Sequence, residues 1–171
     1  YSNDSLLNLE LLDTISAEIG TYLFAVPDDL TTEYSAFIIE VFDSWGNSAS
    51  DTSNFFSIYD NTPPEVVISA PSEGFSVPEH EQFTVSWVHS DNIELYGHLF
   101  EYTSNGVDYD TLLETVYFTE MDSFYFDVGG VTNTAQIRLT VSDLAGNTST
   151  DVSGQFSVTD NTPPQVVINT P

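Results

Sequence analysis

Asp60-Asn61-Thr62-Pro63-Pro64 returns as Asp160-Asn161-Thr162-Pro163-Pro164, one hundred residues later and without a gap. The flanks repeat with it. Phe42-Asp43-Ser44-Trp45-Gly46-Asn47 answers Ser142-Asp143-Leu144-Ala145-Gly146-Asn147, and Phe56-Ser57-Ile58 answers Phe156-Ser157-Val158. Val66-Val67-Ile68 answers Val166-Val167-Ile168, and Pro71 answers Pro171. A fixed period of this kind decides architecture before any local pattern does. The chain reads as a stretch of a tandem array, with Asp-Asn-Thr-Pro-Pro as the punctuation between units. The expected division is residues 1–60 as the C-terminal part of one unit, 61–160 as a complete unit, and 161–171 as the first strand of another.

Composition sets the outer bounds. Of 171 residues, 40% are hydrophobic and 13% aromatic, which is a globular composition. A unit of about 100 residues is long enough for its own core. Acidic residues number 27 against one basic residue, Arg138, for a formal charge of −26. That balance argues against nucleic acid, whose phosphates need cationic partners. It argues equally against anionic membrane surfaces. It fits divalent cations, high ionic strength or simple solubility. Cysteine is absent, so no disulfide staples the fold. No apolar run approaches the roughly 20 residues of a membrane helix, and Tyr1-Ser2-Asn3-Asp4 does not open a signal peptide.

Period-2 alternation dominates the rest. Phe83, Val85 and Trp87 share one face of a strand, as do His98, Phe100 and Tyr102 of the next. Phe124 with Phe126, and Ile137 with Leu139 and Val141, repeat the pattern. Turn chemistry bounds each run: Ser104-Asn105-Gly106, Gly129-Gly130, Ala145-Gly146-Asn147. The spacing predicts strands near 65–70, 82–88, 95–103, 109–117, 123–128, 135–142 and 148–159. About seven short strands per hundred residues describe an antiparallel β-sandwich. Residues 1–60 fit the same template from its middle onward. Strands are expected around Tyr22-Phe24-Val26, Phe37-Ile39-Val41 and Phe56-Ile58, with a short apolar edge at Leu6–Leu12. Strand donation between chains is a further option. The tail, however, supplies one strand where the half-unit lacks about three.

These residues resemble a known group. The Asp-Asn-Thr-Pro-Pro strand opener, the Trp87-bearing strand, the Ser90-Asp91-Asn92 loop and Asp143-Leu144-Ala145-Gly146-Asn147 look like bacterial Ig-like repeats. Those are the fibronectin-III-like or cadherin-like modules of large extracellular surface proteins and adhesins. The resemblance covers the whole chain. It implies an all-β fold, tandem antiparallel Ig-like sandwiches in an elongated array, acting as stalks or spacers. It also implies calcium at domain junctions.

Topology gives an independent route to the same place. In a seven-stranded sandwich the second-to-third strand loop, the last hairpin and the start of the first strand share a pole. That pole would gather Asp91 and Asn92, Asp143 and Asn147, and the linker residues Asp60 and Asn61. Asp43 and Asp160 hold the equivalent repeat positions. Carboxylates with amide and carbonyl oxygens suit calcium, which takes six to eight oxygen ligands. The competing reading is local: Asp and Asn in tight turns bond their own backbone, and Gly146 supplies positive φ. Pro63 and Pro64 would stiffen the linker without any metal.

Other candidates point to structure. His80, His89 and His98 do not assemble the three or four ligands of a zinc site, and Asp28-Asp29 after Pro27 reads as a solvated turn. Arg138 is expected to pair with an acid on a neighbouring strand. Tyr59, Tyr96, Tyr109, Tyr117 and Tyr125 are too many to face the core together; they support cross-strand pairs or stack on a ligand. The chain is therefore expected to be non-enzymatic: a structural spacer of an extracellular filament, sheath or adhesin at the cell surface. Its expected partners are neighbouring copies of the repeat. The alternatives are an adhesive module gripping a carbohydrate or surface protein, and an accessory domain of a secreted enzyme.

Overall fold

The computed structural model describes residues 10–16, 18, 20–116 and 123–169. They form two compact units. The first comprises Tyr1–Pro27 and Thr32–Ser57, the second Asp28–Thr31 and Ile58–Pro171. Among the described residues all regular structure is β, and no helix is long and apolar enough to cross a membrane.

In the first unit, β2 (Ile38–Phe42) and β3 (Ser48–Thr52) form a hairpin with Ile38 opposite Thr52 and Phe42 opposite Ser48. β1 (Thr32–Ser35) pairs with β4 (Phe56–Ile58). No strand forms at Tyr22–Val26. Phe24 nonetheless packs edge-on against Phe37 at 5.4 Å, and Phe37 stacks on Phe56 at 5.0 Å. The alternation there identified the inward ring but not the backbone state, which needs a ladder partner. Of the apolar edge expected at Leu6–Leu12, residues 6–9 lie outside the described residues, and 10–12 are not strand.

The second unit is a sandwich of two sheets. One holds β5 (Glu65–Ala70), β7 (Gln82–Ser90) and β10 (Ser123–Asp127), with β7 central. The other is built on β11 (Thr132–Asp143), flanked by β8 (Leu95–Thr103), beyond which lies β9 (Asp110–Val116). All pairings in this core are antiparallel, with Phe83 opposite Phe126 and Leu139 opposite Phe100. The inward faces carry the expected residues. Val85, Phe100, Ile137, Leu139 and Val141 are fully buried, and Trp87 is nearly so. Trp87 and Phe124 each meet the Phe100 ring edge-on at 4.7 Å. Truncating any of these rings to alanine would cost about 3–5 kcal/mol.

Two features depart from the alternation. The last strand is not continuous over 148–159. It divides into β12 (Thr148–Val152) and β13 (Phe156–Thr159), both paired with β11. At the break Ser153 Oγ accepts the Ile137 N–H at 2.9 Å, and Gly154 lies against the Glu73 backbone. The chain there accommodates an additional short strand, β6 (Ser76–Pro78), which runs parallel to β13. Residues 161–169 form no strand; Val166, Val167 and Ile168 are exposed, with no ladder partner among the described residues.

Candidate functional site

The register places three chain connections at one pole of the second unit. Glu65, at the start of β5, lies opposite Ser90 at the end of β7. Asp143, at the end of β11, lies opposite Leu95 at the start of β8. Asp60, Asp91 and Asp143 therefore converge, each offering a carboxylate oxygen within 4.8 Å of the others. Asp143 is 2% exposed; the other two are half-buried.

Local turn bonding explains part of each position. Asp143 Oδ1 accepts the Asn147 N–H at 2.8 Å, and Oδ2 accepts the Asn147 amide at 2.7 Å. Asp60 Oδ1 accepts the Thr62 N–H at 3.0 Å, and Asp91 Oδ2 accepts the Ile93 N–H at 3.3 Å. The loops are also tied to the linker. Asn147 Nδ2 reaches the carbonyls of Asp60 and Thr62, both at 3.4 Å, and Asn92 Nδ2 donates to Asp60 Oδ1 at 3.2 Å.

Turn capping and cation binding are not exclusive, because each carboxylate oxygen has two lone pairs. Asp91 Oδ1 and Asn92 Oδ1 are buried with no hydrogen-bond partner. A buried acceptor left unpaired costs about 1–3 kcal/mol. Ionised carboxylates about 5 Å apart add roughly 3 kcal/mol of repulsion per pair at an effective dielectric near 20. A hard cation would relieve both terms, and the donor set of carboxylate, amide and carbonyl oxygens fits calcium.

The other anticipated positions lie elsewhere. Asn61 is exposed in the linker. Asp160 is exposed and caps Thr162 N at 2.8 Å. Asp43 builds the same turn as Asp143 in the first unit, with Asn47 N–H at 2.9 Å and the Asn47 amide at 2.7 Å. The Asn47 amide above all holds the Asp43 carboxyl below the usual range.

Beneath the pole is an imidazole pair. Trp87 Nε1 donates to His89 Nδ1 at 2.9 Å, so that nitrogen carries no proton. His98 is 3% exposed, its ring 5.2 Å from that of His89. Arg138 on β11 pairs bidentately with Glu101 on β8, at 2.6 and 2.8 Å, and lies 3.9 Å over the Tyr109 ring. Tyr59 and Tyr125 face solvent, whereas Tyr96 and Tyr109 are half-buried; Tyr117 lies outside the described residues.

Sequence reasoning missed two further contacts. Asp151 Oδ2 accepts the Ile68 N–H at 2.7 Å, clasping β5 to β12. Asn92 Nδ2 also donates to the Asp28 carbonyl at 2.5 Å. Neither is announced by a motif, since each joins residues more than sixty positions apart.

Among solved structures the chain is similar to the fibronectin(III)-like modules of CbhA from Clostridium thermocellum. The match is 12% identical, spans 81% of this chain and 70% of that one, and has a TM-score of 0.51. The fold is a fibronectin(III)-like β-sandwich. At that identity the likeness concerns fold alone. An engineered protein (15% identical, 56% of this chain, 20% of that one, TM-score 0.41) and a beta-1,2-glucanase from Parabacteroides distasonis (18%, 70%, 16%, 0.38) match more weakly. No family model and no curated protein matches the chain.

Proposed function

We propose that this chain is a non-catalytic structural spacer, a segment of tandem Ig-type sandwiches from an extracellular filament, sheath or adhesin. In this reading residues 1–60, 61–160 and 161–171 are successive parts of one repeating array, and calcium binds at the pole. The observation that carries it is the convergence of Asp60, Asp91 and Asp143 from three separate connections, one of them the repeated linker. The likeness to fibronectin(III)-like modules supports a structural or accessory role. A cation there would fix the linker to both loops and stiffen the array.

Calorimetric titration with calcium tests the metal. Binding in the micromolar to millimolar range is expected, with thermal stabilisation that follows the ligand's free concentration. Asp91→Asn should weaken both, because it removes a charge and leaves the turn residues in place. Absence of heat together with an unchanged melting temperature would refute calcium at this pole.

A second reading, an adhesive module, draws on Trp45. It is 89% exposed at the tip of the β2–β3 turn, where an indole face is free to stack on a sugar or a partner's side chain. Trp45→Ala abolishing retention on glycan or protein surfaces would support that role.

A further inference from the structure

We propose that Asn92 is a clasp residue, whose side-chain amide ties together the two places where the chain joins the second unit. The chain belongs to that unit at Asp28–Thr31, leaves it at Thr32, and rejoins it at Ile58. Asn92 Nδ2 has two hydrogens, and each finds an acceptor at one of these places. One goes to the Asp28 carbonyl at 2.5 Å, the other to Asp60 Oδ1 at 3.2 Å.

The chemistry fixes which end of the amide faces them. A carbonyl and a carboxylate oxygen accept and cannot donate, so the nitrogen is the only end that satisfies both. Asn92 is itself well anchored. It follows the long central strand β7, next to the turn in which Asp91 Oδ2 accepts the Ile93 N–H. That turn is pinned to the last hairpin through Leu144 N–H and the Glu94 carbonyl at 3.1 Å. Residues 28–31, by contrast, form no strand and contribute one half-buried apolar side chain, Leu30. A short segment with so little burial is held by its few polar contacts. The clasp needs no cation, so it goes beyond the calcium reading and stands or falls separately.

The test is backbone 15N relaxation on the full chain, in chelator, for the natural protein, Asn92→Ala and Asn92→Ser. In the natural protein residues 28–31 should show order parameters near those of rigid backbone, about 0.85. In Asn92→Ala they should fall toward flexible values, below about 0.6, while β11 stays rigid. Serine keeps one donor and should give an intermediate value. Unchanged order at 28–31 in both variants would overturn the proposal. So would a loss of order spread equally through β11, which would make Asn92 a residue of the fold rather than a clasp. Order at 28–31 that appears in the natural protein only when calcium is added would overturn it as well, and would leave the calcium reading standing.

Discussion

At the scale of single residues, His98 and Gly154 carry the sharpest consequences. His98 lies between Trp87 and Phe100, with ring centres at 5.5 and 5.6 Å. Burial first, and then the nearby His89, lower its pKa from 6.5 to about 4. The folded value lies below the unfolded one, so the neutral form is the one that folding favours. The His98 contribution to stability is therefore intact above about pH 6.5 and declines as pH falls toward 4. At about 1.4 kcal/mol per pH unit, the loss attributable to His98 reaches up to roughly 3 kcal/mol. Urea unfolding at several pH values should show the natural protein losing more stability than His98→Phe as pH falls from 6.5 toward 4, by about that amount, because the titration of the 27 acids is common to both and cancels in the difference; equal slopes would mean His98 is not the group responsible. Gly154 is limited by space. A Cβ there would lie 2.1 Å from Glu73 N and 2.5 Å from Ser72 C, both backbone atoms that cannot rotate away. Gly154→Ala should cost about 3 kcal/mol or more in urea unfolding, at the upper end of overpacking penalties. A loss under about 0.5 kcal/mol would show that the loop holding Glu73 yields freely.

At the scale of elements, the β8–β11 pair is where charge and register meet. Arg138 and Glu101 are directly opposite in the ladder, and their side chains are 33% and 14% exposed. Bidentate geometry of this kind exceeds an ordinary surface pair, and the guanidinium also lies on Tyr109. Glu101→Gln should reduce stability by about 1 kcal/mol, measured as the urea midpoint, with the difference shrinking in molar salt. A difference that persists undiminished at high salt would assign the effect to packing rather than charge. Elements of this sort were legible from sequence. Phe83, Val85 and Trp87 gave β7, and Ile137, Leu139 and Val141 gave β11, because a half-buried strand imposes a period of two on its own residues. The polar convergence of Asp60, Asp91 and Asp143 was legible too, since strand order alone brings those connections together. What escaped was set by distant partners. The break at Ser153-Gly154 recurs at Ser53-Asn54, and in both units the serine hydroxyl accepts a backbone N–H from the neighbouring strand, from Ile137 and from Phe37; it escaped because a serine bonding across the ladder leaves no mark on the apolar alternation. β6 escaped because a three-residue edge strand has no periodicity of its own. Tyr22–Val26 failed the other way: alternation was present, but no neighbouring strand supplied a ladder.

At the scale of the whole molecule, the governing quantity is the formal charge of −26 set against a single arginine. That arginine is already paired with Glu101, so it relieves little of the general repulsion. Folding gathers the carboxylates into a smaller volume than the unfolded chain occupies, and the resulting self-repulsion opposes the compact state. Exposed charges are screened over a Debye length of about 30 Å at 0.01 M salt and about 10 Å at 0.1 M. Raising sodium chloride from about 10 mM to 0.5 M should therefore raise the urea midpoint and then level off once screening is complete. The experiment also separates general screening from a specific site. Calcium at 1 mM changes ionic strength by only a few millimolar, so any stabilisation it adds on a 0.5 M sodium chloride background is binding rather than screening. Asp91→Asn should remove that added part and leave the sodium response almost intact, since it changes one charge among 27 acids. A midpoint insensitive to sodium chloride would show that self-repulsion is as strong in the unfolded chain as in the folded one. The acidity would then have to be explained by solubility, not by any demand of the fold for counter-ions.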